Sequence, residues 1–318
     1  MSIKRIIKKI NSSKSFLITA HVGLEGDALG SELAVYLLLK RLGKQVMICN
    51  QDHTPSPYRF LPHVRSIKND VAGKRFNVAM VLDCSDSSRA GRVKDALDDV
   101  PYIINIDHHI SNTMFGDLNW VDASAGSTCQ MLYVLCEHYR IMDKNIALCL
   151  YTGISTDTGN FTYANTTPET HRVVYNLLRY KLEPHRIDER LHSLCQPQDL
   201  RLINDIIASL RYDVEKKICW ARIEKWEEKD YDLTEVIFSM MRLLRGFEVF
   251  ILFKTIGKNR IRVNFRSRSR VDVNEVAQFF GGGGHKRASG TTIEETLAAA
   301  QKKVISFVRS YVHRAQSR

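Results

Sequence analysis

Four short apolar runs punctuate the first third of this chain, at residues 15–20, 45–49, 77–82 and 101–106. Each is almost continuously apolar rather than alternating, the pattern of a strand covered on both faces. Between the first two, residues 27–42 carry Leu33, Leu37 and Leu38 on one helical face and stop at Gly43. Buried strands joined by helices predict a parallel sheet sandwiched by helices, an α/β fold. Helical patterns then dominate, at 127–139, 144–156, 167–180 and 199–210.

The pattern changes after about residue 190. Residues 217–223, 247–253 and 260–266 read as strands, with Gly257, Lys258 and Asn259 turning between the last two. A helix to Phe280, a glycine run and a helix from near Glu294 follow. Gln196-Pro197-Gln198 interrupts the pattern. The expectation is two domains, residues 1–190 and a smaller α/β domain at 206–318, joined by a linker at 191–205.

Composition narrows the function classes. With 318 residues, 44% hydrophobic and 25% charged, the chain is of ordinary globular make-up. No apolar stretch approaches the length of a membrane span. The basic N-terminus places Ile3, Ile6, Ile7 and Ile10 at helical spacing and lacks the apolar core of a secretory signal, so a first helix packed on the domain is expected. Seven scattered cysteines with no Cys-x-x-Cys pair suit free thiols in a reducing cytoplasm. The net charge of +11 is uneven: from residue 201 onward, 23 Lys and Arg stand against 14 Asp and Glu. That basic half suggests an anionic partner such as nucleic acid or a nucleotide phosphate.

Polar, metal-competent residues arrive where the apolar runs end. The first run leads into His21, Glu25 and Asp27, the third into Asp83, and the fourth into Asp107, His108 and His109. Asp157 closes a later apolar helix just before a glycine. Asp27 alone could be a helix cap, but capping explains neither His21 nor Glu25. In open α/β sheets ligands bind outside the carboxyl ends of the strands, so these residues point to one metal site. Mixed imidazole and carboxylate without thiolate suits Mn²⁺ or a similar ion such as Co²⁺, whereas Mg²⁺ prefers oxygen and water. The donors exceed the needs of one ion. Two ions about 3.5–4 Å apart, sharing a carboxylate and a water, would use them and suit in-line displacement at phosphorus.

In the basic half, Gly281, Gly282, Gly283 and Gly284 run directly into His285, Lys286 and Arg287. Glycines let backbone N–H groups approach an anion, and the basic residues add charge. In the preceding run Ile261, Val263 and Phe265 alternate with Arg260, Arg262, Asn264 and Arg266, and residues 254–270 hold seven basic side chains and no acidic one. An anion-binding face is expected there.

Together these residues resemble the DHH phosphoesterase superfamily over nearly the whole chain. His21-x-x-x-Glu25-x-Asp27, Asp83, Asp107-His108-His109 and Asp157 match its N-terminal motifs in order. Phe265-Arg266-Ser267, Val271-Asp272-Val273-Asn274 and the glycine run match its associated C-terminal substrate domain. Within the superfamily the chain most resembles the bacterial nanoRNase/oligoribonuclease group, many of which also dephosphorylate 3′-phosphoadenosine 5′-phosphate. The resemblance implies that His21, Glu25 and Asp83 hold one Mn²⁺ and that Asp27, Asp83, His108 and Asp157 hold a second. It implies that Asp107 orients the site and that His109 contacts the scissile phosphate and helps protonate the leaving oxygen. Arg266, Ser267, Gly282, Gly283, Gly284 and His285 would bind the nucleotide across a cleft between the domains. One departure is Glu25, where the family usually has Asp; a ligand displaced by about 1 Å can cost a hundredfold in rate.

The expected partners are short single-stranded RNA or small nucleotides, with no membrane, and the chain could act as a homodimer. Hydrolysis of linear or cyclic dinucleotides is the nearest alternative activity. A non-catalytic nucleotide or RNA sensor, with Glu25 marking a degraded site, is the alternative from a different class.

Overall fold

The four apolar runs form the middle of a six-stranded parallel sheet in a computed structural model of the protein, which describes residues 2–193, 195–224 and 233–316. The chain divides into two units, Met1–Ser193 and Leu194–Arg318. The first contains α1 (Ser2–Ser12), β1 (Ser15–Thr19), α2 (Gly26–Arg41), β2 (Gln45–Cys49), β3 (Ile67–Lys68), β4 (Val78–Leu82), α3 (Val93–Asp98), β5 (Ile103–Asp107) and β6 (Leu118–Val121). Helices α4 (Thr128–Tyr139), α5 (Lys144–Asp157), α6 (Pro168–Leu178) and α7 (Pro184–His192) complete it.

The strand order is β3-β2-β1-β4-β5-β6, with every pairing parallel. The chain leaves β1 toward one edge and β4 toward the other, so the order reverses between these neighbours. That reversal opens a crevice at the strands' carboxyl ends. Both faces are buried, as the unbroken apolar runs require. Phe16, Ile18, Val78, Met80 and Leu82 enter one core, while Leu17, Ala79 and Val81 enter the opposite one. Each large side chain so buried contributes about 1.5–3 kcal/mol. The N-terminal helix packs as its spacing predicts, with Ile6 and Ile10 fully buried.

The second unit contains α8 (Pro197–Ala208), β7 (Arg211–Asp213), β8 (Ile218–Ile223), α9 (Thr234–Met241), β9 (Val249–Gly257), β10 (Arg260–Ser267), α10 (Val273–Phe279), β11 (Gly283–His285), β12 (Ala288–Ile293) and α11 (Leu297–Gln316). Its sheet order is β11-β12-β10-β9-β8-β7, antiparallel except between β8 and β9. In the stretch read as a linker, 191–205, only Ser193, Cys195 and Gln196 of the described residues lie outside helices. The glycine run differs from a free loop: Gly283 begins an edge strand that turns at Lys286 and Arg287 and pairs back through β12. No described helix is long and apolar enough to cross a membrane.

Candidate metal centre

The strand ends deliver their polar residues to the crevice between β1 and β4. His21 follows β1, Asp83 follows β4 and Asp107 ends β5, with His108 and His109 next. Asp83 takes a left-handed backbone (φ 53°), a conformation Asp tolerates better than most residues, while its N–H still bonds Ile106 O at 2.9 Å. The strained residue is thus pinned to the edge of β5.

Two helices bring the remaining carboxylates. Asp27 lies in the first turn of α2 and Asp157 in the last turn of α5. These helices approach closely because Gly26 and Gly30 face α5. A Cβ at Gly26 would lie 2.2 Å from Thr156 Oγ1, and one at Gly30 2.5 Å from Cys149 O. Asp27 does not cap its own helix. Its buried carboxylate accepts the backbone N–H of Thr128 (2.7 Å) and Cys129 (2.8 Å) at the start of α4. The positive end of that helix dipole therefore points into the site.

Asp83 stands between two groups. Its Oδ2 lies 3.5 Å from His21 Nε2. Its Oδ1 lies 3.7 Å from His108 Nε2 and accepts the Thr128 hydroxyl at 3.0 Å. His108 Nε2 is also 3.8 Å from Asp27 and 3.4 Å from Asp157. Glu25 reaches the His21 side at 3.8 Å, with its side chain 63% exposed. All eight sequence-predicted residues of this half therefore meet in one place: Asp83 at the centre, six others around it and Glu25 at the rim.

The donor set fits divalent metal. His21 Nδ1 faces Val22 O at 2.8 Å and His108 Nδ1 faces Ala125 O at 3.2 Å. A carbonyl only accepts, so each Nδ1 carries a proton and Nε2 is the nitrogen turned toward the carboxylates and left to ligate, the usual arrangement of metal-binding histidine. His21 Nε2 is buried without a hydrogen-bond partner. One ligand atom each from Asp27, His108 and Asp157 lies within 4.8 Å of the others, and so does a second set from Asp83, Asp107 and His109.

The electrostatics say the same. Burial and then repulsion from Asp83 push Asp27 up to about 7, and burial drives Asp157 well above the carboxylate range. Burial also works against charge on Asp83, but His21, His109 and His108 outweigh it and hold the group well below its ordinary value. Burial would lower His21 and His108; Asp83 and Glu25 for the first, Asp157, Asp83 and Asp27 for the second, instead raise each to about 9. Four carboxylates packed this tightly call for positive charge among them.

Sequence reading missed three positioning groups. Thr128 is described above. Asn112 donates to Asp107 Oδ2 at 2.6 Å and Asn105 Oδ1 at 2.8 Å. Asn165 donates to the backbone and side-chain oxygens of Asp157 at 3.1 and 3.3 Å. Asn112, three residues past His109, and the cap-like Ser127-Thr128 were the available signals; nothing local marks Asn165.

In the second unit, Ile261, Val263 and Phe265 are buried and the alternate residues of β10 occupy the opposite face. Register aligns His285, Ala288 and Arg266 in one row across the sheet, and Gly283, Gly290 and Asn264 in the next row on that face. Arg266 pairs with Glu235 and lies over the Phe238 ring, so its charge already has a partner. The Ser267 hydroxyl donates to Val271 O at 2.6 Å and holds the backbone. At Gly284 (φ 144°) a Cβ would meet Ala288 O at 2.6 Å, so the fold demands glycine. A Cβ at Gly283 meets only Asn274 Oδ1, at 3.9 Å. The bare backbone there leaves space on a polar face.

Residues 15–154 match the DHH family, N-terminal domain, and residues 215–313 match the DHHA1 domain. The bifunctional oligoribonuclease and PAP phosphatase NrnA of Thermus thermophilus is 32% identical over 303 residues, spanning 94% of this chain and 90% of that protein. The protein of the same name from Bacillus subtilis is 26% identical, over 91% and 92%. The crystal structure of an exopolyphosphatase-related protein from Bacteroides fragilis has a TM-score of 0.90 at 22% identity, covering 99% of this chain and 97% of that one. At that identity the likeness is one of fold.

Proposed function

This chain belongs to the DHH family, and from that premise we propose that it is a Mn²⁺-dependent phosphoesterase that hydrolyses short oligoribonucleotides to mononucleotides and also dephosphorylates 3′-phosphoadenosine 5′-phosphate. The two relatives named as oligoribonuclease and PAP phosphatase support this choice of substrates. The observation that carries the reading is Asp83, whose two oxygens face His21 and His108 separately. A carboxylate so placed suits a bridge between two ions.

In this reading His21, Glu25 and Asp83 would hold one ion, and Asp27, Asp83, His108 and Asp157 would hold the other. When bound, two such ions supply Lewis acidity toward phosphoryl oxygens and an activated water. The protein's own part is positioning and proton transfer. Asn112 fixes Asp107, and Asp107 fixes His109 through Nδ1. Nε2, the opposite ring nitrogen, would meet the leaving oxygen and give it a proton. Arg266, Ser267, Gly282, Gly283, Gly284 and His285 are assigned to the nucleotide. Arg266 and Ser267 would act through the row they frame, since their polar atoms already hold Glu235 and Val271. The free thiols suit a reducing, cytoplasmic setting.

The test is turnover of the dinucleotide pApA, longer RNA, 3′-phosphoadenosine 5′-phosphate and cyclic dinucleotides with Mn²⁺ or Mg²⁺. Asp83→Ala and His108→Ala should abolish hydrolysis of pApA. Undiminished turnover in either variant sinks the assignment. Binding of RNA by the wild-type protein without turnover at any Mn²⁺ level would favour a sensor.

A further inference from the structure

The second unit carries an aromatic surface that the metal centre does not explain. Phe279, in the last turn of α10, stacks on Phe307 of α11 with ring centroids 4.0 Å apart and planes 18° apart. Tyr311 continues the series at 6.1 Å and 16° from Phe307. Phe280 meets Phe279 and Phe307 edge-on, at 5.0 and 5.3 Å, and so braces the stack. Phe280, Phe307 and Tyr311 pack against the domain core, but Phe279 is 64% exposed. Beside it runs a groove of about 610 Å³ lined by Phe279, Phe280, Lys302, Lys303, Ser306 and Phe307, among others.

We propose that this groove binds single-stranded RNA, with a base stacked on Phe279 and the backbone phosphates drawn to Lys302. The proposal rests on the oligoribonucleotide reading above and adds a subsite to it. Flat aromatic faces beside basic side chains are how proteins hold single strands without reading sequence, because every base has a π-face. The charges agree. Lys303 pairs with Glu295 at 2.8 Å, and Glu275 is engaged by the Tyr311 hydroxyl at 2.6 Å. Lys302 is exposed and makes no ion pair among the described residues. Position agrees too. Phe279 precedes Gly282 by three residues, so their Cα atoms lie within about 11 Å. A strand held at the glycine segment would reach the stack with its following nucleotides. The subsite therefore serves chain length rather than the reacting phosphate.

The experiment compares pApA with 5′-phosphorylated penta-adenylate in the full-length protein with Mn²⁺, for Phe279→Ala, Phe279→Trp and Lys302→Ala. Phe279→Ala should raise KM for the pentanucleotide about tenfold, leave its kcat unchanged, and leave both constants for pApA unchanged. Phe279→Trp should restore the pentanucleotide KM. Lys302→Ala, an exposed change, should weaken the pentanucleotide alone, and it keeps the test open if Phe279→Ala fails to fold. Equal effects on both substrates, or none on the pentanucleotide, overturn the proposal. So does a Phe279→Ala variant that turns a dimer into a monomer by sedimentation, which would assign the face to a second copy. If the wild-type protein hydrolyses neither RNA, the activity reading fails separately. Fluorescence anisotropy with labelled penta-adenylate then decides the subsite, and equal affinity of wild type and Phe279→Ala overturns it.

Discussion

Asp107 Oδ1 lies 2.6 Å from Nδ1 of His109, two residues further along the chain. Burial would disfavour charge on Asp107, but this bond, the nearby imidazole and Asn112 together hold it below the ordinary carboxylate range. The carboxylate therefore stays ionised and fixes both the tautomer and the direction of the ring.

Asp107→Asn should lower kcat for pApA by about 10²–10⁴, the usual worth of a positioned general acid. A p-nitrophenyl nucleotide ester needs no proton on its leaving oxygen, so its turnover should fall far less. Equal losses on the two substrates would remove His109 from proton transfer.

Glu25 occupies the N-cap position of α2 in extended backbone and makes no side-chain capping bond. Aspartate is among the best N-cap residues. Glu25→Asp should stabilise the metal-free protein by about 1 kcal/mol, seen as a rise of about 2–4 °C in the unfolding midpoint. Thermal unfolding in EDTA is the measurement, and an unchanged or lower midpoint counts against the capping argument.

The glycine segment should separate folding from binding. Gly284→Ala forces a Cβ against Ala288 O at a left-handed residue and should cost more than about 1 kcal/mol. Gly283→Ala meets no close atom and should fold normally, yet raise KM for nucleotides with little change in kcat. Circular dichroism melts and steady-state kinetics of the pair decide. A Gly283→Ala enzyme with wild-type KM would show that the bare backbone there is not used.

Glu248, in the second unit, accepts backbone N–H bonds from Ser269, Arg270 and Val271. Burial would raise it, but these bonds and the Ser269 hydroxyl outweigh burial and lower its pKa. A carboxyl depressed in the folded state stabilises fully above its unfolded value of about 4.3 and loses that contribution as pH falls through the folded value. Glu248→Gln should cost about 1 kcal/mol near neutral pH, a modest figure because solvent reaches the group. In urea unfolding, the gap from wild type should narrow as the pH drops below about 4. A gap independent of pH would assign the loss to packing.

Much of the architecture was legible. Apolar runs located β1, β2, β4 and β5, and helical periodicity located α2, α4, α5, α6 and α8 within a few residues. Five strands escaped for physical reasons: β3, β7 and β11 are only two or three residues long, too short for a pattern to show. β6 is an edge strand with only Leu118 fully buried, so it lacks an apolar run. β12 reads Ala-Ser-Gly-Thr-Thr-Ile, too small and polar to resemble a strand. Tertiary contacts satisfy it instead: the Ser289 hydroxyl donates to Val273 O and that of Thr291 to Phe280 O. The short helices α3, α7 and α9 offered too few turns for a period to emerge.

The sequence by itself determined which side chains stand at the strand ends, because a buried parallel strand must stop where polar groups begin. It also marked Glu25 as the unusual carboxylate. Only the tertiary structure decided how these groups divide around one centre. Asp83 turns one oxygen to each histidine because a left-handed residue ties it to β5. Asp27 receives N–H groups from α4, where Thr128 stands 101 residues away, because glycines let α2 and α5 close together. Such choices depend on contacts between distant segments, and no local pattern of residues carries them.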